Sequence, residues 1–261
     1  MNYKLFIGQA FYECKAFSPQ FPCMIDLLRI LTELDIEYYY EQINGDSYVD
    51  RAKNAIVHRF LKSDATHLMI IDSDETWDVE GVGRLLRASM KGLEIVAGLY
   101  PCKNNWEFYG GLPNVDKDGY IMGQEEGDYR VIDMNIVPGG FIIYSREAFE
   151  RARPNLDSYI APENNEKILE AFRCNIETES PRKSDEELSA MDKDELIQHV
   201  KKWQRGGREG GRIGEDIYFQ KRYKEMGGKI WCEPNINMGH FGIKEWSGNY
   251  QDHLLKCRGV E

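Results

Sequence analysis

The chain has 261 residues, of which 42% are hydrophobic and 12% aromatic, and its formal net charge is −11. This length is sufficient for one enzyme-sized domain with a sizeable core. No apolar run reaches the about 18 residues of a membrane span, and the N-terminus lacks the pattern of a signal peptide. Six cysteines without Cys-x-x-Cys spacing indicate reduced thiols and no zinc site. We therefore expect a cytoplasmic protein whose acidity disfavours non-specific coating of nucleic acid.

Apolar patterning over the first hundred residues predicts alternating strands and helices. They follow one another as strand 4–8, helix 23–34, strand 36–42, helix 48–62, strand 66–72, helix 79–91 and strand 94–99. The leucines of the first helix recur at helical spacing, which places one apolar face of this helix on the sheet. Alternation of this kind predicts right-handed crossovers, and hence an α/β fold with a mostly parallel central sheet and helices on both faces.

After about residue 100 the pattern changes to short segments with many turns, and strands are predicted at 129–134 and 141–144. Residues 152–212 are the least regular part and are interpreted as an insertion with a short helix around 186–202. The segment 201–212 has five Lys or Arg residues among four glycines. Three interpretations stay open for it: a solvated insertion, a mobile lid whose arginines, including Arg208 and Arg212, close over a diphosphate, or a contact with a nucleic-acid backbone.

Three Asp-x-Asp triplets occur in the sequence, and only one of them directly follows a strongly apolar run. Asp72-Ser73-Asp74 comes after Leu68-Met69-Ile70-Ile71, whereas the triplets at 116–118 and 192–194 lie in polar stretches. The first triplet is therefore predicted at the carboxyl edge of the sheet, where open α/β sheets bind ligands. The other two are predicted to be solvated surface.

Two carboxylates at the end of a buried strand can converge on one cation where the chain turns. Oxygen ligands of this kind suit Mg²⁺ or Mn²⁺, which take further ligands from the phosphates of a substrate. Asp72 and Asp74 therefore predict a metal-diphosphate site. The alternative is an acidic strand-to-helix turn in which Asp74 or Asp78 caps the following helix.

Two further features lie near the C-terminus. Glu215 and Asp216 precede a predicted helix, where acids are favoured by the helix dipole and can simply mark the helix start. His240 lies between Gly239 and Gly242, whose small size allows a bound group to approach the backbone and the imidazole closely.

Four blocks of the sequence together resemble the metal-dependent GT-A glycosyltransferases. They are Arg51 to Asn54, His67 to Asp74, Pro138 to Phe141, and Gly214 to Gly242, and they follow the order found in that family. The similarity is greatest to the inverting, family 2-like nucleotide-sugar enzymes and their phage-encoded relatives. It implies the GT-A fold, a Rossmann-like α/β sandwich, in a single domain over residues 1–261. Residues 1–100 would form the nucleotide-sugar half and 101–261 the acceptor half.

The resemblance also implies roles for individual residues. Asp72, Asp74 and His240 would bind Mn²⁺ or Mg²⁺, and Asp216, next to Glu215, would be the general base. The donor is expected to be a nucleoside-diphosphate sugar, with uridine diphosphate as the expected nucleotide. Its predicted contacts are Gln9, Arg51, Asn54, Asp72, Ser73, Asp74, Arg208 and Arg212. For Arg51, an ion pair with Asp50 or a neighbouring Glu stays open as the alternative. The acceptor would be a hydroxyl of a glycan, of a small molecule or of a hydroxymethylated base in phage DNA, which the enzyme would have to flip out of the duplex.

Other classes of protein share parts of this pattern. Asp72-Ser73-Asp74-Glu75-Thr76 also matches the phosphatase motif of the haloacid dehalogenases, in which the first Asp attacks phosphorus. That motif normally lies on the first strand, whereas two strand-helix units precede it here. A sugar nucleotidyltransferase would need a Gly-rich loop after the first strand, which 9–12 does not provide. A non-catalytic nucleotide-binding protein stays open as a further alternative.

Overall fold

The computed structural model describes residues 3–12, 14–103, 108, 113–126, 129–162, 164–176, 189–195, 212–242 and 245–257. The predicted alternation of strands and helices in the first hundred residues is confirmed, with ends shifted by up to three residues. The elements are β1 (Lys4–Phe11), α1 (Gln20–Glu33), β2 (Glu37–Asn44), α2 (Val49–Lys62), β3 (His67–Ile71), β4 (Glu75–Trp77), α3 (Val79–Met90) and β5 (Ile95–Gly98). The three-residue strand β4 has no counterpart in the sequence prediction, because it is too short for a periodic pattern.

The second half has shorter elements, as predicted, and includes a short 3-10 helix at Arg153–Asn155. Its elements are β6 (Gly123–Glu126), β7 (Tyr129–Met134), β8 (Phe141–Ser145), α4 (Arg146–Ala152), β9 (Ser158–Ile160), β10 (Lys167–Leu169), β11 (Asn175–Ile176), β12 (Arg212–Ile213), α5 (Glu215–Glu225), β13 (Ile230–Glu233), β14 (Asn237–Phe241), β15 (Glu245–Asn249) and α6 (Tyr250–Cys257).

The central sheet has the strand order β2-β1-β3-β8-β5-β13-β7-β6 within the described residues. Strands β2, β1, β3, β5 and β13 share one direction, as the α/β prediction requires. Strands β8 and β7 run against their neighbours, so the sheet is mixed. Both reversed strands come from the second half of the chain, and both halves therefore contribute to one sheet.

Helices cover both faces of this sheet, and alternate residues of each strand point to the two cores. Leu5 and Ile7 of β1 pack with α1 and α3, whereas Phe6 between them packs with α2, α4 and α5. Strand β3 is divided in the same way and is almost fully buried. Removal of each such aliphatic side chain from water contributes about 1.5–3 kcal/mol, so β3 is a rigid support for the residues at its end.

A second, three-stranded sheet with the order β15-β14-β4 lies next to the carboxyl end of β3. Strand β14 pairs antiparallel with β4, and His240 is opposite Glu75 in this pairing. The backbone N–H of Phe241 also donates to the carbonyl of Asp74, at 2.8 Å. The small sheet thus brings the segment around His240 to the acidic triplet.

Several predictions fall outside the described residues. They include most of the glycine-rich segment 201–212 with Arg208, and most of the helix predicted over 186–202. No helix in the part of the chain that the structure describes is long and apolar enough to cross a membrane.

Candidate metal and transfer site

The acidic segment turns sharply between β3 and β4. The Gln20 side chain, at the first residue of α1, fixes this turn because its Nε2 donates to the carbonyl of Asp72 at 2.7 Å and to that of Glu75 at 2.9 Å. The Oε1 of Gln20 accepts a hydrogen bond from Gln9 at 3.1 Å. The donor and acceptor atoms of this buried amide are all hydrogen-bonded, which is a stable arrangement. The Gln20 side chain therefore fixes the backbone of the turn that carries the acids.

Asp74, Glu75 and His240 form a group that could hold a metal ion. One ligand atom from each lies within 4.8 Å of the other two. His240 Nδ1 is 2.8 Å from the carbonyl of Pro101, so this nitrogen carries the proton and donates it, leaving the lone pair on Nε2, 4.0 Å from Asp74 Oδ1. Burial lowers the pKa of His240, which favours the neutral form that binds metals. A backbone acceptor behind a histidine is typical of metal ligands.

Glu75 is completely buried, with 0% of its surface exposed. Neither carboxylate oxygen has a hydrogen-bond partner among the described residues. Burial raises the pKa of Glu75 well above its ordinary value, and the charges of Asp72 and Asp74 raise it further, whereas Lys53 and the nearby Tyr100 hydroxyl oppose the increase. An isolated buried carboxylate is unfavourable, so this group requires an explanation.

Lys53 on α2 links the acidic turn to the start of α5. Its ammonium is 3.5 Å from Asp72 Oδ1 and 3.1 Å from Glu215 Oε1, and only 2% of the residue is exposed. Burial alone would lower the pKa of Lys53, but the charges of Asp72, Glu215 and Asp216 raise it instead. Burial likewise would raise the pKa of Glu215, and the Lys53 ammonium outweighs this effect and holds it below its usual value. The chain therefore buries a cation against two partly exposed counter-ions.

Asp216 lies in the first turn of α5, as the sequence predicts for an acid near a helix start. Its Oδ2 accepts a hydrogen bond from the backbone N–H of Gly139 at 2.8 Å, and its Oδ1 accepts one from Ile217 at 2.8 Å. Burial raises the pKa of Asp216, the Lys53 charge opposes this, and Glu215 adds to it. A carboxylate with a raised pKa that is fixed by two donors is suited to accept a proton from a substrate.

Gly139 and Gly140 separate Asp216 from the acidic turn, and both must lack a side chain. A Cβ on Gly139 would lie 2.5 Å from Asp216 Cβ. A Cβ on Gly140 would overlap Glu75 Oε1 and would lie 2.6 Å from the Tyr100 hydroxyl and 2.8 Å from Asp72 Oδ2. The two consecutive glycines therefore allow Asp216 and the acids of the turn to approach the same short piece of backbone from two sides.

The predicted donor contacts are found in several different places. Gln9 is buried, and its Oε1 accepts a hydrogen bond from Tyr40 at 2.6 Å. Arg51 Nε donates to Asp46 at 2.8 Å, and Asn54 bonds both the carbonyl and the N–H of Phe172 at 2.8 Å. The carbonyl of Ser73 accepts from Phe17 at 3.3 Å. Their binding roles stay predictions.

The two arginines of the predicted lid cannot be assigned to the site from these contacts. Arg208 lies outside the described residues, and Arg212 is described only through the backbone of β12. The diphosphate-binding role of both stays a prediction.

The other two Asp-x-Asp triplets are solvated, as predicted. Asp116 is exposed and accepts from the N–H groups of Asp118 and Tyr120 in a tight turn. Asp192 is also exposed and accepts from the N–H groups of Asp194 and Glu195. Only the triplet after β3 therefore lies near a possible metal group among the described residues.

Sequence reasoning missed two charged residues of this site. Lys53 lies between Arg51 and Asn54, the two residues of this helix that the sequence predicts as donor contacts. The helical spacing that turns the Lys53 side chain inward could have identified it. Glu75 directly follows the triplet and was noted only as part of the phosphatase-like string. Its burial depends on the pairing of β4 with β14, for which the sequence offers no local signal.

No protein-family model and no curated protein matches this sequence. Among solved structures, A197 from STIV is similar at 17% identity and a TM-score of 0.43, over 92% of this chain and 86% of that chain. GalNAc-T7, solved with UDP, GalNAc and Mn²⁺, is similar at 12% identity and a TM-score of 0.46, over 91% of this chain and 44% of that chain. The 4-diphosphocytidyl-2C-methyl-D-erythritolsynthase from Anaerococcus prevotii DSM 20548 has a TM-score of 0.29 at 10% identity, over 59% of this chain and 74% of that chain. Superpositions this approximate carry no evidence about the activity of the chain.

Proposed function

We propose that this protein is a metal-dependent glycosyltransferase that moves a sugar from a nucleoside-diphosphate sugar to an acceptor hydroxyl, with inversion at the anomeric carbon. One observation carries the proposal. A group with metal-ligand chemistry and a partly buried carboxylate with a raised pKa approach Gly139 and Gly140 from two sides. A phosphate-bearing leaving group and an acceptor hydroxyl need these two kinds of chemistry close together.

The residues present fit a divalent cation. Carboxylate oxygens and a neutral imidazole suit Mn²⁺ or Mg²⁺, and the orphaned carboxylate of Glu75 needs a positive partner. Asp74 and His240 would hold the ion, with Asp72 beside them as the sequence resemblance implies. The chemistry supplied there would be neutralisation, by a bound cation, of the negative charge that develops on the leaving nucleoside diphosphate.

Asp216 would act on the acceptor. Its two backbone donors leave the carboxylate fixed in orientation, and in its ionised form it would take the proton from the attacking hydroxyl, an effect of about 100- to 10,000-fold. A single displacement by that hydroxyl inverts the anomeric carbon. Lys53 would keep Glu215 and Asp72 ionised next to this base.

The nucleoside half of the donor would occupy a cavity of about 610 Å³ that reaches Gln20, whose side chain binds the acidic turn. It is lined by apolar and aromatic side chains, with Gln9, Gln20, Gln42 and Asn44 as polar groups. This mixture is typical of small-molecule sites, and it supports the predicted role of the first two strands. The expected donor is a uridine diphosphate sugar, and the acceptor is a glycan, a small molecule or a modified base in DNA.

The proposal is tested by a screen of nucleotide sugars for thermal stabilisation with and without Mn²⁺. A ligand that binds only the folded state raises the melting temperature according to its affinity. We expect stabilisation by one nucleoside diphosphate and its sugar conjugates that depends on Mn²⁺, followed by transfer or slow hydrolysis of the same donor. Equal stabilisation with and without metal would contradict the proposal.

Asp74→Asn should remove most of the Mn²⁺-dependent stabilisation by the nucleoside diphosphate, because a charged ligand is lost. His240→Ala should weaken it less, since water can replace one neutral ligand. Isothermal titration with Mn²⁺ and the nucleotide would measure both effects. Asp118→Asn, in a solvated Asp-x-Asp triplet, is the matched control and should behave like the unmodified protein.

A further inference from the structure

We propose that Glu75 is a direct ligand of the divalent cation, and that Asp72 mainly serves as the counter-ion of Lys53. This inference rests on the proposed metal dependence and changes the ligand set that the Asp-x-Asp triplet implies. The group whose ligand atoms lie within 4.8 Å of one another contains Asp74, Glu75 and His240, and not Asp72. Opposite ligands of an octahedral ion with bonds of about 2.1 Å are about 4.2 Å apart, so small side-chain shifts suffice to close the group.

The strongest reason is the environment of the Glu75 carboxylate. Both of its oxygens are buried and neither has a hydrogen-bond partner among the described residues. An ionised carboxylate in this position has only the Tyr100 hydroxyl and the Lys53 charge, which is already paired with Asp72 and Glu215, to oppose the repulsion of Asp72 and Asp74, and this is unfavourable. A protonated carboxyl would still leave a donor and an acceptor unsatisfied. A cation shared with Asp74 and His240 would neutralise the Glu75 carboxylate and bind its oxygens. Neither the ionised nor the protonated carboxyl achieves this without the cation.

The backbone around Glu75 is fixed by strand pairing and by hydrogen bonds. Strand pairing places Glu75 opposite His240, and Gln20 fixes the carbonyls of both Asp72 and Glu75. Gly140 leaves room beside Glu75 Oε1 that any side chain would fill. The Glu75 carboxylate is therefore held toward His240 and Asp74 rather than toward solvent.

Asp72 has a different partner. Its Oδ1 is 3.5 Å from the buried Lys53 ammonium, which also contacts Glu215. If Asp72 turned fully to a metal ion, the buried Lys53 charge would lose one of its two paired carboxylates. Asp74 has no such constraint, because its ion-pair partner Lys103 is partly exposed and can move away into solvent.

Titration of the full chain with Mn²⁺ alone tests the inference, by calorimetry and by the Mn²⁺-induced shift in melting temperature. Glu75→Gln keeps the shape of the side chain and removes its charge. We expect it to weaken Mn²⁺ binding by at least about a hundredfold, beyond the about 10- to 100-fold typical of residues that only orient a ligand. Asp72→Asn should weaken it less than Glu75→Gln, and Asp118→Asn should leave it unchanged.

The melting temperature without metal separates a ligand from a structural residue. Glu75→Gln should keep or raise it, since the amide has the same shape and carries no charge that burial would penalise, while the Mn²⁺-induced shift disappears. Unchanged Mn²⁺ affinity in Glu75→Gln, or a greater loss in Asp72→Asn, would overturn the inference. If Glu75→Gln does not fold, Glu75→Asp keeps the charge but shortens the reach, and Mn²⁺ affinity equal to that of the unmodified protein would overturn it as well.

The outcome is separable from that of the proposed function. Glu75-dependent Mn²⁺ binding without transfer from any nucleotide sugar would support the ligand set and contradict the glycosyltransferase. Metal-dependent transfer together with a Mn²⁺ affinity that does not change in Glu75→Gln would support the glycosyltransferase and contradict the ligand set.

Discussion

Asp216→Asn is expected to lower kcat for sugar transfer by about a hundredfold or more, as for the loss of a general base, while donor affinity changes little. The asparagine keeps the size of the side chain and one acceptor for the N–H of Gly139 or Ile217, so the fold should persist. Because the group would act only in the transition state, the effect belongs in kcat rather than in donor binding. Steady-state kinetics and calorimetry with the donor would measure the two quantities separately.

The pH profile gives the same test a second readout. Burial raises the pKa of Asp216, and a base is active in its ionised form, so kcat should fall as the pH decreases through that raised pKa. In Asp216→Asn, this decrease of kcat on the acidic side of the pH profile, called the acidic limb, should be absent. Asp252→Asn, which changes an exposed acid in the first turn of α6, should keep both the limb and the rate. Parallel loss of donor affinity and kcat in Asp216→Asn would make Asp216 a structural residue.

Lys53→Met is expected to produce the largest loss of stability, about 1.5–3 kcal/mol, because two partly buried carboxylates lose their charged partner. The affected carboxylates are those of Asp72 and Glu215, which the ammonium bridges. Chemical denaturation at neutral pH would measure the change. Lys117→Met, at an exposed loop position, should stay within about 0.5 kcal/mol of the unmodified protein, as is usual for surface sites.

The pH dependence of this loss has a defined sign. Lys53 holds the pKa of Glu215 below its ordinary value despite burial. The resulting stabilisation is present above the ordinary pKa of a glutamate and is lost as the pH falls through the lowered value. The difference between Lys53→Met and the unmodified protein should therefore shrink in acid. Lys53→Met/Glu215→Gln should recover part of the stability, and an additive double variant would show that the two residues are not coupled.

The parts of the site that lie on regular elements could be predicted from the sequence. Four large apolar residues followed by Asp72 and Asp74 identified β3 and the position of the acids at its carboxyl end, since a strand buried on both faces has a strongly apolar sequence. The position of Asp216 in the first turn of α5 followed from the two acids at the start of a predicted helix. The α/β class followed from the alternation of strands and helices.

The contacts between distant segments could not be predicted. The reversed direction of β8, which brings Gly139 and Gly140 to the carboxyl end of β3, is set by packing in the complete sheet. The partners of Lys53 come from the turn after β3 and from α5, and those of Arg51 and Asn54 come from loops. A charge run in one helix does not specify which charge is buried, because burial depends on the tertiary partners.

The position of β13 has a consequence for synthesis of the protein. This strand lies between β5 and β7 although it follows both by a long stretch of chain. Contacts between segments so distant in sequence form slowly, and N-terminal segments leave the ribosome first. His240 follows β13 and Asp216 shortly precedes it. A nascent chain that has already exposed Asp74 and Glu75 therefore cannot complete the proposed metal group or the proposed base. Under the proposed function, metal capture should begin only after β14 has left the ribosome.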